Sequence, residues 1–172
     1  MKNTYIKLSF ILFVMLVLTA CSNSNADKIS VEEEFTEYRN TIIEPLNEKS
    51  LKIAEMFGHF ATIIEETEEA YNYLSEEVIP FAKETRDVVV DARNRLVNDE
   101  IIELNEINIK HYDLTIESFT MTAEMMKLSI PPFSDKEYEK AEEIFNDNLE
   151  LQEEIDRTSS KIDTKINELT GE

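Results

Sequence analysis

The chain has 172 residues and a formal net charge of -20, from 37 acidic and 17 basic side chains. A surface this acidic repels phosphate backbones and anionic headgroups, which argues against a nucleic-acid partner. A single cysteine forbids an internal disulfide, and 2 glycines, 4 prolines and no tryptophan point towards helices.

At the N-terminus Lys2 and Lys7 flank an apolar run from Leu8 to Ala20, 13 residues long. A bilayer-spanning helix needs roughly 20 apolar residues, so the run has the length of a signal-peptide core. It ends in Leu18-Thr19-Ala20-Cys21, which resembles the lipobox of bacterial lipoproteins. That resemblance implies a signal peptide over residues 1–20, cleavage before Cys21, and a diacylglycerol on the Cys21 sulfur with fatty acids such as palmitate. Two acyl chains suffice for stable attachment where one does not. The expected location is the cell membrane, lipid-anchored and facing outside the cytoplasm. Losing Lys2 and Lys7 takes the mature charge from -20 to -22. Residues 21–29 read as the lipidated cysteine and a polar tether, and residues 30–172 as one helical domain.

Helical signals begin with Ser30-Val31-Glu32-Glu33, a capping box. Apolar residues follow at helical spacing: Val31, Phe35, Tyr38, Ile42 and Leu46, then Ile53, Met56, Phe57, Phe60, Ile63 and Ile64, with Ala70 and Leu74 continuing the stripe. Pro45 lies inside and predicts a kink or short break there. A weaker break is expected near Tyr73-Leu74-Ser75, with Ser75 capping a second helix that tolerates Pro80 in its first turn and buries Val78, Ala82, Val89, Ala92 and Leu96.

Asn98-Asp99-Glu100 predicts a turn and a new start. The third helix has the cleanest heptad, with Ile102, Ile109, Ile116, Ala123 and Ile130 interleaved with Asn105, Tyr112, Phe119 and Met126. Pro131-Pro132 must end it, and Ser134-Asp135-Lys136-Glu137 is a second capping box. The last helix is expected to turn Tyr138, Ala141, Phe145, Leu149, Ile155, Ile162, Ile166 and Leu169 inward, with Asn148, Gln152 and Ser159 setting register and Gly171 at its end. No strand alternation occurs. The pattern predicts an all-α chain folded as an antiparallel up-down four-helix bundle. The same heptads suit intermolecular coiled-coil pairing.

Motifs for chemistry are sparse. A di-iron bundle needs Glu-x-x-His pairs, whereas Met56 and Asn108 precede His59 and His111 by three. Glu55 stands four before His59, a lone pair able to share a metal but equally at home as surface and packing residues. There is no haem-attachment, zinc-hydrolase, phosphate-loop or Gly-x-Ser-x-Gly pattern. No catalytic residue, metal ligand or cofactor is therefore assigned. The glutamate runs at 32–34, 65–69, 76–77, 142–143 and 153–154 read as solvated helix faces, since adjacent residues point about 100° apart.

With the lipobox, the Glu76-Glu77-Val78-Ile79-Pro80 run, the Ile102–Ile130 heptads and the Glu/Asn-rich last helix, the mature chain is similar to small uncharacterised all-helical lipoproteins of low-GC Gram-positive bacteria. That group includes cell-wall-binding lipoproteins. The resemblance implies location and fold, with no activity attached. The expected function is a non-enzymatic binding or scaffold module for a protein or cell-envelope component, with Tyr71, Tyr73 and Phe81 as candidate contact residues. The alternative is a small-ligand or divalent-cation-binding lipoprotein. A third reading is an envelope-polymer enzyme using paired carboxylates.

Overall fold

The computed structural model describes residues 29–171; Leu18, Thr19, Ala20 and Cys21 lie outside the described residues. Four helical rods run up and down, with no strand among the described residues. The first rod joins α1 (Val31–Tyr38) to α2 (Glu44–Ile63) through a π turn, Arg39–Ile43. The second joins α3 (Thr67–Tyr73) to α4 (Ile79–Arg93) through another, Leu74–Val78. The third rod is α5 (Asp99–Leu128) and the fourth is α6 (Asp135–Thr170). No described helix is long and apolar enough to cross a membrane.

Both π turns end two residues before a proline. The N–H of Glu44 donates to the Arg39 carbonyl and that of Ile79 to the Leu74 carbonyl, each five residues back. Pro45 and Pro80 follow immediately. In a regular α ladder the proline ring presses on the carbonyl four residues earlier. The wider turn gives that ring room while the backbone stays helical. The irregularity expected near Pro45 thus takes the form of a π turn.

The break between the first two rods falls elsewhere than expected. The chain turns at Ile64–Glu66, where Glu66 leaves helical geometry (φ -90, ψ 74), and not at Ser75, which lies inside the second π turn. The reason lies in the polar run from Glu65 to Glu69. It opens a five-residue gap in the apolar period, and beyond it Ala70 and Leu74 are fully buried in the second rod.

The two serine capping boxes form as expected, Ser30 with Glu33 and Ser134 with Glu137. Gly171 ends the last helix in the left-handed region at φ 73, where a side chain would be strained. The third rod begins differently. Asn98 supplies no side-chain cap; instead the Glu34 carboxylate reaches across from α1 and accepts from the Val97 N–H at 2.7 Å and the Asn98 N–H at 2.8 Å. Glu34 is only 5% exposed, so this member of the 32–34 run is no solvated residue. It sits three after Val31 and four before Tyr38, on the apolar face of its helix. The Asn98 side chain donates to the Ile29 carbonyl, fastening the entry of the chain to the same turn.

The core lies among the first three rods, around Tyr38, Leu74, Val78, Val89, Ile101 and Leu104. Tyr38 donates its hydroxyl to Asn105 Oδ1 at 3.1 Å, and burial pushes the phenol well above its ordinary pKa. The fourth rod packs along the third. Its inner row is Ala141, Ile144, Asn148, Leu151, Ile155, Thr158 and Ile162, so Tyr138, Phe145 and Leu149 are not inward: they are 63%, 49% and 51% exposed. Likewise Asn105, Tyr112, Phe119 and Met126 are buried while Ile102, Ile109, Ile116 and Ile130 are half-buried, because α5 serves partners on two sides.

Replacing Glu34 by Ala removes the acceptor for two N–H groups at a partly buried helix start. Hydrogen bonds to a charged group contribute about 1.5–3 kcal/mol each, so Glu34→Ala is expected to lower stability by about 3 kcal/mol in urea unfolding, and Glu34→Gln by less. An unchanged urea midpoint for Glu34→Ala would show that the cross-rod cap does not hold the turn.

Candidate functional site

Because α6 rests on α5, a groove of about 300 Å³ remains open between the first, third and fourth rods. The first rod lines it with Ser50, Ile53, Ala54 and Phe57, the third with His111, Tyr112, Thr115, Ser118 and Phe119, and the fourth with Gln152 and Ile155. Phe57 stacks on Phe119 at 5.4 Å between ring centroids and leans on Phe60 at 5.3 Å. The aromatic floor is therefore built from two rods at once.

Polar groups at the groove already have partners. Ser50 Oγ and Tyr112 OH are 2.8 Å apart, and Gln152 Nε2 donates to Ser118 Oγ at 2.6 Å. Beside them Asn148 Nδ2 donates to Thr122 Oγ1 at 3.0 Å. Asn148 and Gln152 thus tie α6 to α5 as register-setting residues do, whereas Ser159 is exposed. With these groups satisfied, what the groove offers an occupant is chiefly apolar surface.

Asn148 Oδ1 and His111 Nδ1 are the exceptions, both buried without a hydrogen-bond partner; the histidine is the titratable one. Its ring is half-buried against Tyr112, and Nδ1 is buried without a hydrogen-bond partner. Burial holds its pKa below the ordinary histidine value, partly opposed by the Ile155 backbone. The imidazole is neutral at neutral pH and adds no positive charge to the groove.

Tyr71, Tyr73 and Phe81 are half-buried and do not share one surface. Lys127 of the third rod lies over Tyr71 at 5.9 Å, while His59 and Lys49 of the first rod meet Tyr73 and Phe81 at 4.9 and 5.1 Å. They seal the edges of the second rod on two sides. Glu55 pairs with Lys52 at 3.2 Å and His59 packs on Tyr73, so the Glu55–His59 pair is not drawn together around a common point. Among the described residues, no three His, Asp or Glu side chains converge as metal ligands would.

The groove itself escaped sequence reading. Its residues are those of an ordinary core stripe, and only the spacing between rods leaves them open. Tyr138, Phe145 and Gln152 fall seven apart with Leu149 beside them, a second row on α6 that could have been separated from the inner row at Ala141, Ile144, Asn148 and Leu151.

The fold and site define an up-down helical bundle with a lateral apolar groove. Neither protein-family models, nor curated proteins, nor solved structures contain a match to this chain.

The lowered pKa of His111 has a consequence for stability. Unfolded, the group titrates near pH 6.5, and it then takes up a proton that the folded form resists. The contribution is present above about pH 6.5 and is lost as pH falls towards the lower folded value. The stability advantage of wild type over His111→Gln should shrink between pH 7.5 and pH 5, read as the difference in Tm, with carboxylate effects common to both. A difference that stays constant or grows on acidification contradicts a buried neutral imidazole.

Proposed function

We propose that the chain is an extracytoplasmic lipoprotein, anchored through acylated Cys21, that acts as a non-enzymatic helical module binding a protein or cell-envelope component. The observation that carries this reading is the open groove with its aromatic floor, together with the exposed row Tyr138, Phe145 and Leu149 on the same side of α6 as Gln152. Contiguous exposed apolar surface of this kind marks interaction sites on soluble domains. The lipobox residues Leu18 to Cys21 and the short polar segment after them support placement at the membrane surface. The acidic surface disfavours nucleic acid as partner.

A second reading, a small apolar ligand held in the groove, is favoured by its volume of about 300 Å³ and its internally paired polar groups. A ligand of this kind raises Tm by mass action on the folded state, and screening of compounds reads it directly.

Intact-mass analysis of the protein from its own membranes should find an N-terminus at Cys21 carrying a diacylglycerol. Cys21→Ala should retain residues 1–20 and carry no lipid. Affinity purification of the lipidated form should bring down a specific partner that the Cys21→Ala form recovers poorly. An unmodified Cys21 removes the anchor from the proposal, and an empty capture from both forms removes the binding module.

A further inference from the structure

The groove carries a sign as well as a shape. Gln152, on the groove wall, follows Tyr138 by 14 residues, Phe145 by seven and Leu149 by three, so all four lie on one side of α6. At about 100° per residue, Asp135, Glu142, Glu153, Asp156 and Asp163 fall within about 70° of that row. The five basic residues of the helix, Lys136, Lys140, Arg157, Lys161 and Lys165, all fall outside it. Two of them are committed to the other edge of the α5–α6 contact, Lys140 to Glu124 and Lys165 to Glu103, while Arg157 reaches back to Glu153 at 3.9 Å and leaves Glu142 and Asp156 among the carboxylates beside the row without such a partner on α6. No Lys or Arg lines the groove, and His111 is neutral. On the opposite wall Ala54 is small and exposed, and one residue beyond Phe57 a Cβ added at the exposed Gly58 would meet nothing within 4 Å.

We infer that this groove and the exposed row of α6 beside it receive a cationic amphipathic helix of a partner polypeptide, its apolar face against Phe57, Phe145 and Leu149 and its Lys or Arg residues against Glu142 and Asp156. The inference rests on the binding-module reading and names the partner's chemistry. From Tyr138 to Asp156 this face of α6, which the groove adjoins at Gln152, is about 27 Å long and matches a helix of roughly 18 residues. Small residues on the first rod let such a helix approach, and the exposed aromatic and aliphatic side chains supply anchors at helical spacing. Charge complementarity selects this occupant over a second copy of the chain, which would bring the same acidic rim against itself, and over an anionic lipid surface.

The test uses the full lipidated chain in its native membranes. Phe145→p-benzoylphenylalanine places a photocrosslinker on the exposed row beside the groove, and Lys161→p-benzoylphenylalanine places one on the other side of α6. The expected result is an adduct at 145 that is absent at 161, mapping by mass spectrometry to a segment in which basic residues outnumber acidic ones and apolar residues recur every three or four. Glu142→Lys combined with Asp156→Lys should cut the adduct at least tenfold, and added salt should weaken it. An adduct to a second copy, to lipid or to an acidic or neutral segment overturns the inference, as does crosslinking at 145 no stronger than at 161. A partner that co-purifies without a groove adduct defeats this inference alone; no partner and no adduct defeats the binding-module reading as well.

Discussion

Helix α5 has to satisfy neighbours on two sides at once, and most of the molecule follows from how it does so. Its row of Ile101, Leu104, Asn105, Tyr112 and Phe119 belongs to the core shared with the first two rods. Ser118 and Thr122 face α6 instead and are bonded by Gln152 and Asn148. A helix with one apolar stripe can serve one seam; α5 serves two by making the second partly polar. Polar seams fix register more than they stabilise. The start of this helix is held equally firmly, since the buried Glu34 carboxylate accepts the backbone donors just ahead of it.

The cost of this arrangement is borne by the other flank of α6. In a closed bundle the first and fourth rods would bury Tyr138, Phe145 and Leu149 against each other. Each such side chain is worth about 1.5–3 kcal/mol when fully buried. Leaving three of them half exposed or more therefore forgoes several kcal/mol of possible stabilisation. A partner that covers them can recover part of that free energy, which gives the open side its physical interest.

Electrostatics acts at two scales. The ion pairs between rods, such as Lys110 with Glu154 and Arg93 with Glu106, are largely exposed and contribute little individually. They do place basic side chains at particular edges. The net charge then becomes unevenly displayed, with the groove side of α6 rich in carboxylates and only Glu153 among them paired, with Arg157. Steering of a cationic segment follows from that distribution and weakens with salt.

What the sequence determined by itself was the helical class, the number of rods and all their ends but those at the first turn. Periodicity, the Ser30 and Ser134 capping boxes, the proline pair and Gly171 are local signals, and local signals are legible because each one depends on only a few neighbouring residues. Local reading misplaced the first inter-rod turn, because Ser75 and Pro80 imitate a helix start while the real turn at Ile64–Glu66 carries neither glycine nor proline. Only the tertiary structure decided which apolar row of α6 faces inward, that Glu34 is buried as a cap for another helix, and that a groove stays open beside Phe57 and Phe119. Each of these depends on the distance and rotation between rods, set by side chains far apart in the chain, and no spacing within one helix encodes it.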